Sequence, residues 1–123
     1  MRKEMEFKMK CMYEILVPTS MKRDGVLKPI MTRYHRVWDS KVREISGGLT
    51  ILTPAKGQWV SPKGEIFIEK MIPVRIVCTE DEMEKIADMS AKYYLQEAIL
   101  YYRVSDHVAI RHYDEKFKFK KEE

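Results

Sequence analysis

The chain has 123 residues, a formal net charge of +4 and 45% apolar residues, which suits one hydrophobic core in a single domain. No run approaches the roughly 18 apolar residues of a membrane span, MRKEMEFKMK lacks the apolar stretch of a secretory signal, and two cysteines make neither a disulfide scaffold nor a metal motif. A cytoplasmic protein is expected, with a slight basicity that leans weakly toward an anionic partner.

CMYEILVPT, residues 11–19, reads as a first strand ended by Pro18 and a polar SMKRDG turn. Pro29 sits where a helix would begin, and Ile30, Tyr34, Val37, Trp38, Val42 and Ile45 recur at spacings of three and four until Gly47 and Gly48 close the pattern. LTILT (49–53) and EIFIEKMIPVRIVC (65–78) read as paired strands, separated by a Gly-Gln-Trp turn and a Lys-Gly turn. Pro73 requires an edge position or a bulge. Thr79 and Glu82 form a capping-box signature, followed by a buried stripe of Met83, Ile86, Ala87, Ser90 and Tyr93. EAILYYRV (97–104) is the last strand, HVAIRHY (107–113) is a candidate extension, and 114–123 is a charged tail outside a core spanning 11–113. In each adjacent pair, Tyr93-Tyr94 and Tyr101-Tyr102, one ring is expected to pack inward and the other to face outward.

The order β-α-β-β-α-β predicts an α+β, ferredoxin-like domain, an antiparallel sheet with two helices on one face. That fold hosts RNA binders, ligand sensors and enzymes, so function has to come from sites. No phosphate-cradling loop, nucleophile elbow or HExxH motif is present, His35, His107 and His112 lack ligand spacing, and Cys11 and Cys78 sit in apolar strands as buried residues would. No metal and no cofactor is assigned. KGEIFIEK (63–70) matches an RNA-recognition octet at Lys63, Gly64, Phe67 and Ile68, but Glu65 and Lys70 replace two of its aromatics. A single-strand RNA binder is therefore the weaker reading, because stacked bases need those rings.

The pattern GLTILTPAKGQW, then Glu69, then VRIVC at 74–78, then Gln96 ahead of the last strand, resembles two groups. One is an uncharacterised family of small bacterial proteins carrying a GLT and GQW signature. The other is the phage-type S-adenosylmethionine lyases, formerly called hydrolases, which form PII-like trimers of ferredoxin-like subunits. The resemblance spans residues 11–113 and departs from the phage enzymes at Trp59, where a tyrosine is expected, so hydroxyl chemistry there is not implied. It implies a homotrimer acting on a small molecule, either S-adenosylmethionine or its AMP adduct. That adduct is a messenger of some type III CRISPR systems and the substrate of one lyase subgroup.

No triad is needed for that chemistry. A sulfonium is already a good leaving group, and the substrate's own carboxylate can attack the γ-carbon, closing homoserine lactone and expelling the thioether nucleoside; the protein has only to hold a near-attack conformation. On this reading Glu69 is the catalytic candidate, pairing with the α-ammonium, since a carboxylate on the sulfonium would favour the ground state. Gly47, Gly48 and Gly57 let backbone approach the ligand, and Gln58 belongs to the same binding segment. Trp59 offers an aromatic face, Arg75 a phosphate contact, and Gln96 an adenine contact.

Each position also has a plainer reading. Glu69 and Arg75 fit exposed strand residues, Trp59 a cover for the hairpin end, Gly47 and Gly48 a helix stop, and Gln96 a loop tie. A PII-like trimeric sensor that binds a nucleotide without turnover is the principal alternative function.

Overall fold

The computed structural model describes residues 9–114. The charged tail beyond Asp114 lies outside the described residues. In chain order the elements are β1 (Cys11–Pro18), β2 (Ser20–Arg23), β3 (Val26–Pro29), α1 (Thr32–Ser46), β4 (Thr50–Ile51), β5 (Ala55–Val60), β6 (Ile66–Cys78), α2 (Glu80–Tyr93) and β7 (Tyr101–Ser105).

The main sheet runs β4-β6-β1-β7, all antiparallel, and β5 continues alongside β6 beyond β4. Taken together, β4 and β5 are the second strand of the ferredoxin-like pattern, interrupted once. Between the pairs Ile51↔Val74 and Ala55↔Met71, three residues face two, so there is a bulge near Pro73, but its extra residue lies on the strand facing β6, while β6 itself runs centrally and in regular register with β1. The bulge forms where Pro73 has no N–H to give, while the Pro73 carbonyl still accepts from the Leu52 N–H at 2.9 Å.

Several expected boundaries move: the last strand begins at Tyr101 instead of 97, leaving 97–100 outside it, and the strand expected at 49–53 is regular only at Thr50–Ile51. Residues 20–29 form a second, small hairpin instead of a plain turn, bent at Asp24-Gly25 with both residues at positive φ, the geometry of a two-residue hairpin loop. Pro29 therefore closes β3, and α1 begins at Thr32. Gly57, Gln58 and Trp59 are strand residues of β5 and not a turn, the reversal lying at 61–65, where the Ser61 N–H donates to the Glu65 carbonyl at 2.9 Å. Residues 107–113 carry no strand.

Alternation along the strands sends Tyr13, Ile15 and Val17 of β1 and Val74, Ile76 and Cys78 of β6 toward the helices, where they bury against Trp38, Val42, Met83, Ile86 and Tyr94. Val37 falls off the buried stripe of α1 and is exposed, whereas the stripe of α2 is as expected apart from Tyr93, which is half-buried. The helices are locked by polar contacts between their aromatic residues. The Trp38 indole N–H donates to Ser90 Oγ at 2.8 Å, and Tyr34 and Tyr93 stack at 4.1 Å, each hydroxyl donating to the other's backbone carbonyl. His35 Nδ1 lies 2.7 Å from the fully buried Tyr94 hydroxyl, and burial lowers the His35 pKa against the opposing pull of Asp39.

The capping box at α2 is complete: Thr79 Oγ1 accepts from the Glu82 N–H and Glu82 Oε1 accepts from the Thr79 N–H. Replacing Thr79 by alanine removes one of these bonds and is expected to cost about 1 kcal/mol in a urea titration. An unchanged midpoint would show that the cap contributes nothing.

Candidate functional site

Strand β6 is longer than its partner. From Met71 onward it pairs with β1, but residues 66–70 pair, among the described residues, only with β5, so the two strands project from the sheet as a ribbon. The ribbon is apolar and uncovered: Trp59, Val60, Ile66, Phe67 and Ile68 are all exposed, Ile66 at 69%.

Register sorts the ribbon into two faces. Pairs Ala55↔Met71, Gly57↔Glu69 and Trp59↔Phe67 share one face; Lys56↔Lys70, Gln58↔Ile68 and Val60↔Ile66 share the other. On the first face Trp59 and Phe67 stack at 4.4 Å with their planes 14° apart, forming an aromatic step next to Glu69. Opposite Glu69 stands Gly57, whose bare backbone is covered by the end of the Met71 side chain: a β-carbon there would lie 2.3 Å from Met71 Cε, so that flexible end would have to move aside. The Glu69 carboxylate is exposed on this face.

The structure thus brings together Gly57, Trp59 and Glu69, while Gln58 points to the opposite face of the same ribbon. Arg75 shares the face of Glu69 but stands six residues further along β6, about 20 Å at the usual strand rise. Gly47 caps α1 at φ 93°, its N–H donating to the Arg43 carbonyl at 2.8 Å, and Gly48 follows on the way to β4. Gln96 sits past the end of α2, its side-chain amide donating to the Tyr94 carbonyl at 3.0 Å. Within one chain these four residues stand apart from the ribbon. Phe67 is the site residue that pattern reading missed as a partner of Trp59, although β-strand alternation across a hairpin would have paired them.

A second polar group occupies the sheet face away from the helices. Glu14, 8% exposed, accepts from Arg75 Nε at 3.0 Å and from the Tyr102 hydroxyl. The Tyr102 hydrogen bond, then Arg75, hold the Glu14 carboxyl below its ordinary value despite burial. A lone acid inside the apolar run CMYEILV was the available sequence signal. Because the folded pKa lies below the unfolded one, this contribution to stability is whole above the ordinary carboxylate range near 4.5 and is lost as pH falls through the lower folded value. Thermal unfolding between pH 6 and 3 is expected to show an acid loss that Glu14→Gln diminishes; an identical pH profile in the variant would contradict this.

Among the described residues no helix is long and apolar enough to cross a membrane. Two shallow hollows of about 520 and 480 Å³ lie elsewhere, one on α2 and one beside Cys11, and none of the residues expected to bind substrate lines either.

No protein-family model and no curated protein matches the chain. Solved structures do. The Cut A1 divalent cation tolerance protein of Thermus thermophilus superposes with a TM-score of 0.57 at 11% identity, over 88% of this chain and 90% of that one. CutA of Archaeoglobus fulgidus gives 0.56 at 10% identity, over 88% and 90%. A phage SAM lyase in complex with S-methyl-5'-thioadenosine gives 0.56 at 13% identity, over 86% and 88%. At these identities the likeness defines a fold, the ferredoxin-like α+β architecture that all three share with this chain.

Proposed function

We propose that the protein is a lyase that cleaves S-adenosylmethionine, or its AMP adduct, by intramolecular attack of the substrate's carboxylate. The observation that carries this reading is the placement of Glu69 beside the Trp59–Phe67 step on one face of a projecting ribbon, opposite a glycine that adds no side chain. An aromatic face attracts a sulfonium or stacks on adenine, and a carboxylate one residue pair away is suited to an α-ammonium. With the ammonium held, the carboxylate oxygen attacks the γ-carbon, the carbon–sulfur bond breaks, and the electron pair goes to sulfur. The products are homoserine lactone and methylthioadenosine, or its AMP adduct. The thioether nucleoside bound by the phage lyase of similar fold is the product this reaction would release.

The active form in this proposal is a homotrimer. The apolar surface that calls for a partner lies not on the open sheet face, where Glu14, Arg75 and Tyr102 form a polar group, but on the ribbon, whose outer stretch of β6 has no second strand partner among the described residues. An exposed apolar edge of this kind is a liability that a neighbouring copy removes, and C3 closure leaves none over. Such packing would also supply the distant residues: Gly47, Gly48, Arg75 or Gln96 of a neighbouring copy could complete a site that one chain leaves open. Light scattering at micromolar concentration should give about three times the 14.7 kDa chain mass. A monomer mass would remove the assembly.

Incubation with S-adenosylmethionine and, separately, with its AMP adduct, followed by mass spectrometry, tests the activity. Homoserine lactone supports the lyase. Binding of either compound without product would favour the sensor instead. RNA binding is disfavoured by position: residues 63–70, the half-matched octet, fall on the turn and outer ribbon and not on the strand length that pairs with β1.

A further inference from the structure

We propose that Cys11 and Cys78 form a reversible cross-strand disulfide, a modification site joining the start of β1 to the end of β6. The two cysteines are far apart in sequence, yet they are direct register partners at the end of the β1–β6 ladder. Opposed residues of an antiparallel pair have Cα atoms about 4.5–5.5 Å apart, inside the roughly 4.4–6.8 Å range that a disulfide spans. Register partners also share a sheet face, so both side chains point toward α2. Both thiols are free in this structure.

The surroundings assign different roles to the two sulfurs. Cys11 is 7% exposed and lines the hollow formed with Met9, Tyr13, Glu80, Arg103 and Asp106, so it is the side from which a reagent arrives. Cys78 has no exposure, and burial, reinforced by Glu82, pushes its thiol up to about 12, so it is shielded from reagents in solution and reacts slowly, through a small thiolate fraction, with a sulfur brought next to it. It is placed to resolve an adduct on Cys11.

With a small-molecule disulfide such as oxidised glutathione, the Cys11 thiolate attacks one sulfur and releases one glutathione thiolate. Cys78 then loses its proton to solvent base, its thiolate attacks the Cys11 sulfur of the mixed disulfide, and the second glutathione leaves as a thiolate that takes up a proton from water. Two protein S–H bonds are lost, one S–S bond forms, and the glutathione disulfide is reduced to two thiols. Cys78 stands nine positions beyond Glu69 along β6, about 30 Å of strand, so the bond constrains the core without reaching the ribbon. It closes a loop that contains α1 and the entire ribbon, and a loop of that size restricts the unfolded chain strongly.

The test equilibrates the full-length chain with oxidised glutathione, both as folded protein and during refolding from denaturant. Free thiols are then blocked, and the chain is digested without reductant. A linked peptide pair containing Cys11 and Cys78 is expected, with a melting temperature several degrees higher that returns on reduction. Cys78→Ser should show no linked pair and carry glutathione on Cys11. Blocked free thiols in both arms, glutathione on Cys11 of the unmutated chain without any link, or a link only between chains would each overturn the proposal.

Discussion

Replacing Glu69 by glutamine is expected to slow cleavage of S-adenosylmethionine by roughly ten- to a hundredfold, because one charge-assisted contact of about 1.5–3 kcal/mol is lost from the transition state. The substitution keeps shape and some hydrogen bonding. Glu69 is exposed and glutamine is nearly its shape, so packing on the ribbon is little disturbed and the assembly should stay intact. Glu65→Gln, in the turn beyond the ribbon strands, controls for general loss of acidity and should retain full activity. Undiminished turnover by the Glu69 variant would place the ammonium elsewhere.

The largest effect on stability is expected at Trp38. Its side chain is buried between the helices and the sheet, and its indole N–H is satisfied by Ser90. Trp38→Ala removes the largest of the fully buried side chains and is expected to cost about 3–5 kcal/mol, a large share of the roughly 5–15 kcal/mol that holds a typical domain together. Trp38→Phe retains most of the volume and should cost less, chiefly through the lost N–H donor. Urea unfolding of the two variants checks the order, and a loss below about 1 kcal/mol for the alanine variant would contradict the packing role.

The elements that could be read from sequence were those with a local signal strong enough to survive tertiary context. The Thr79–Glu82 box fixed the start of α2, the spacing from Tyr34 to Ile45 fixed α1, and β-branched runs marked β1 and β6. The hairpin at 20–29 was also encoded, in Asp24-Gly25, but its flanking residues Lys22, Arg23, Val26 and Leu27 are exposed and show no apolar alternation. Trp59 was misplaced for a different reason. Glycine and proline on both sides of GQW suggested a turn, whereas the register sets Gly57, Gln58 and Trp59 in a strand opposite Glu69, Ile68 and Phe67.

The candidate site divides the same way. Glu69 and Trp59 could be singled out by residue type and resemblance, but that they share a face, and that Phe67 completes the step, depends on the pairing of β5 with β6. The Glu14–Arg75–Tyr102 group joins three strands, and the Cys11–Cys78 pairing joins residues far apart in the sequence; neither leaves a periodic trace.

The central claim is that the substrate is its own nucleophile, and labelled water tests it most directly. The full-length protein is incubated with S-adenosylmethionine or its AMP adduct in ¹⁸O-water, quenched early, and the released four-carbon product is analysed by mass spectrometry. Unlabelled homoserine lactone is expected together with the methylthio nucleoside, since the ring oxygen comes from the substrate carboxylate. Homoserine labelled in its hydroxyl at the earliest time points would mean that water attacks the γ-carbon, and would contradict the mechanism even with the substrate correctly assigned.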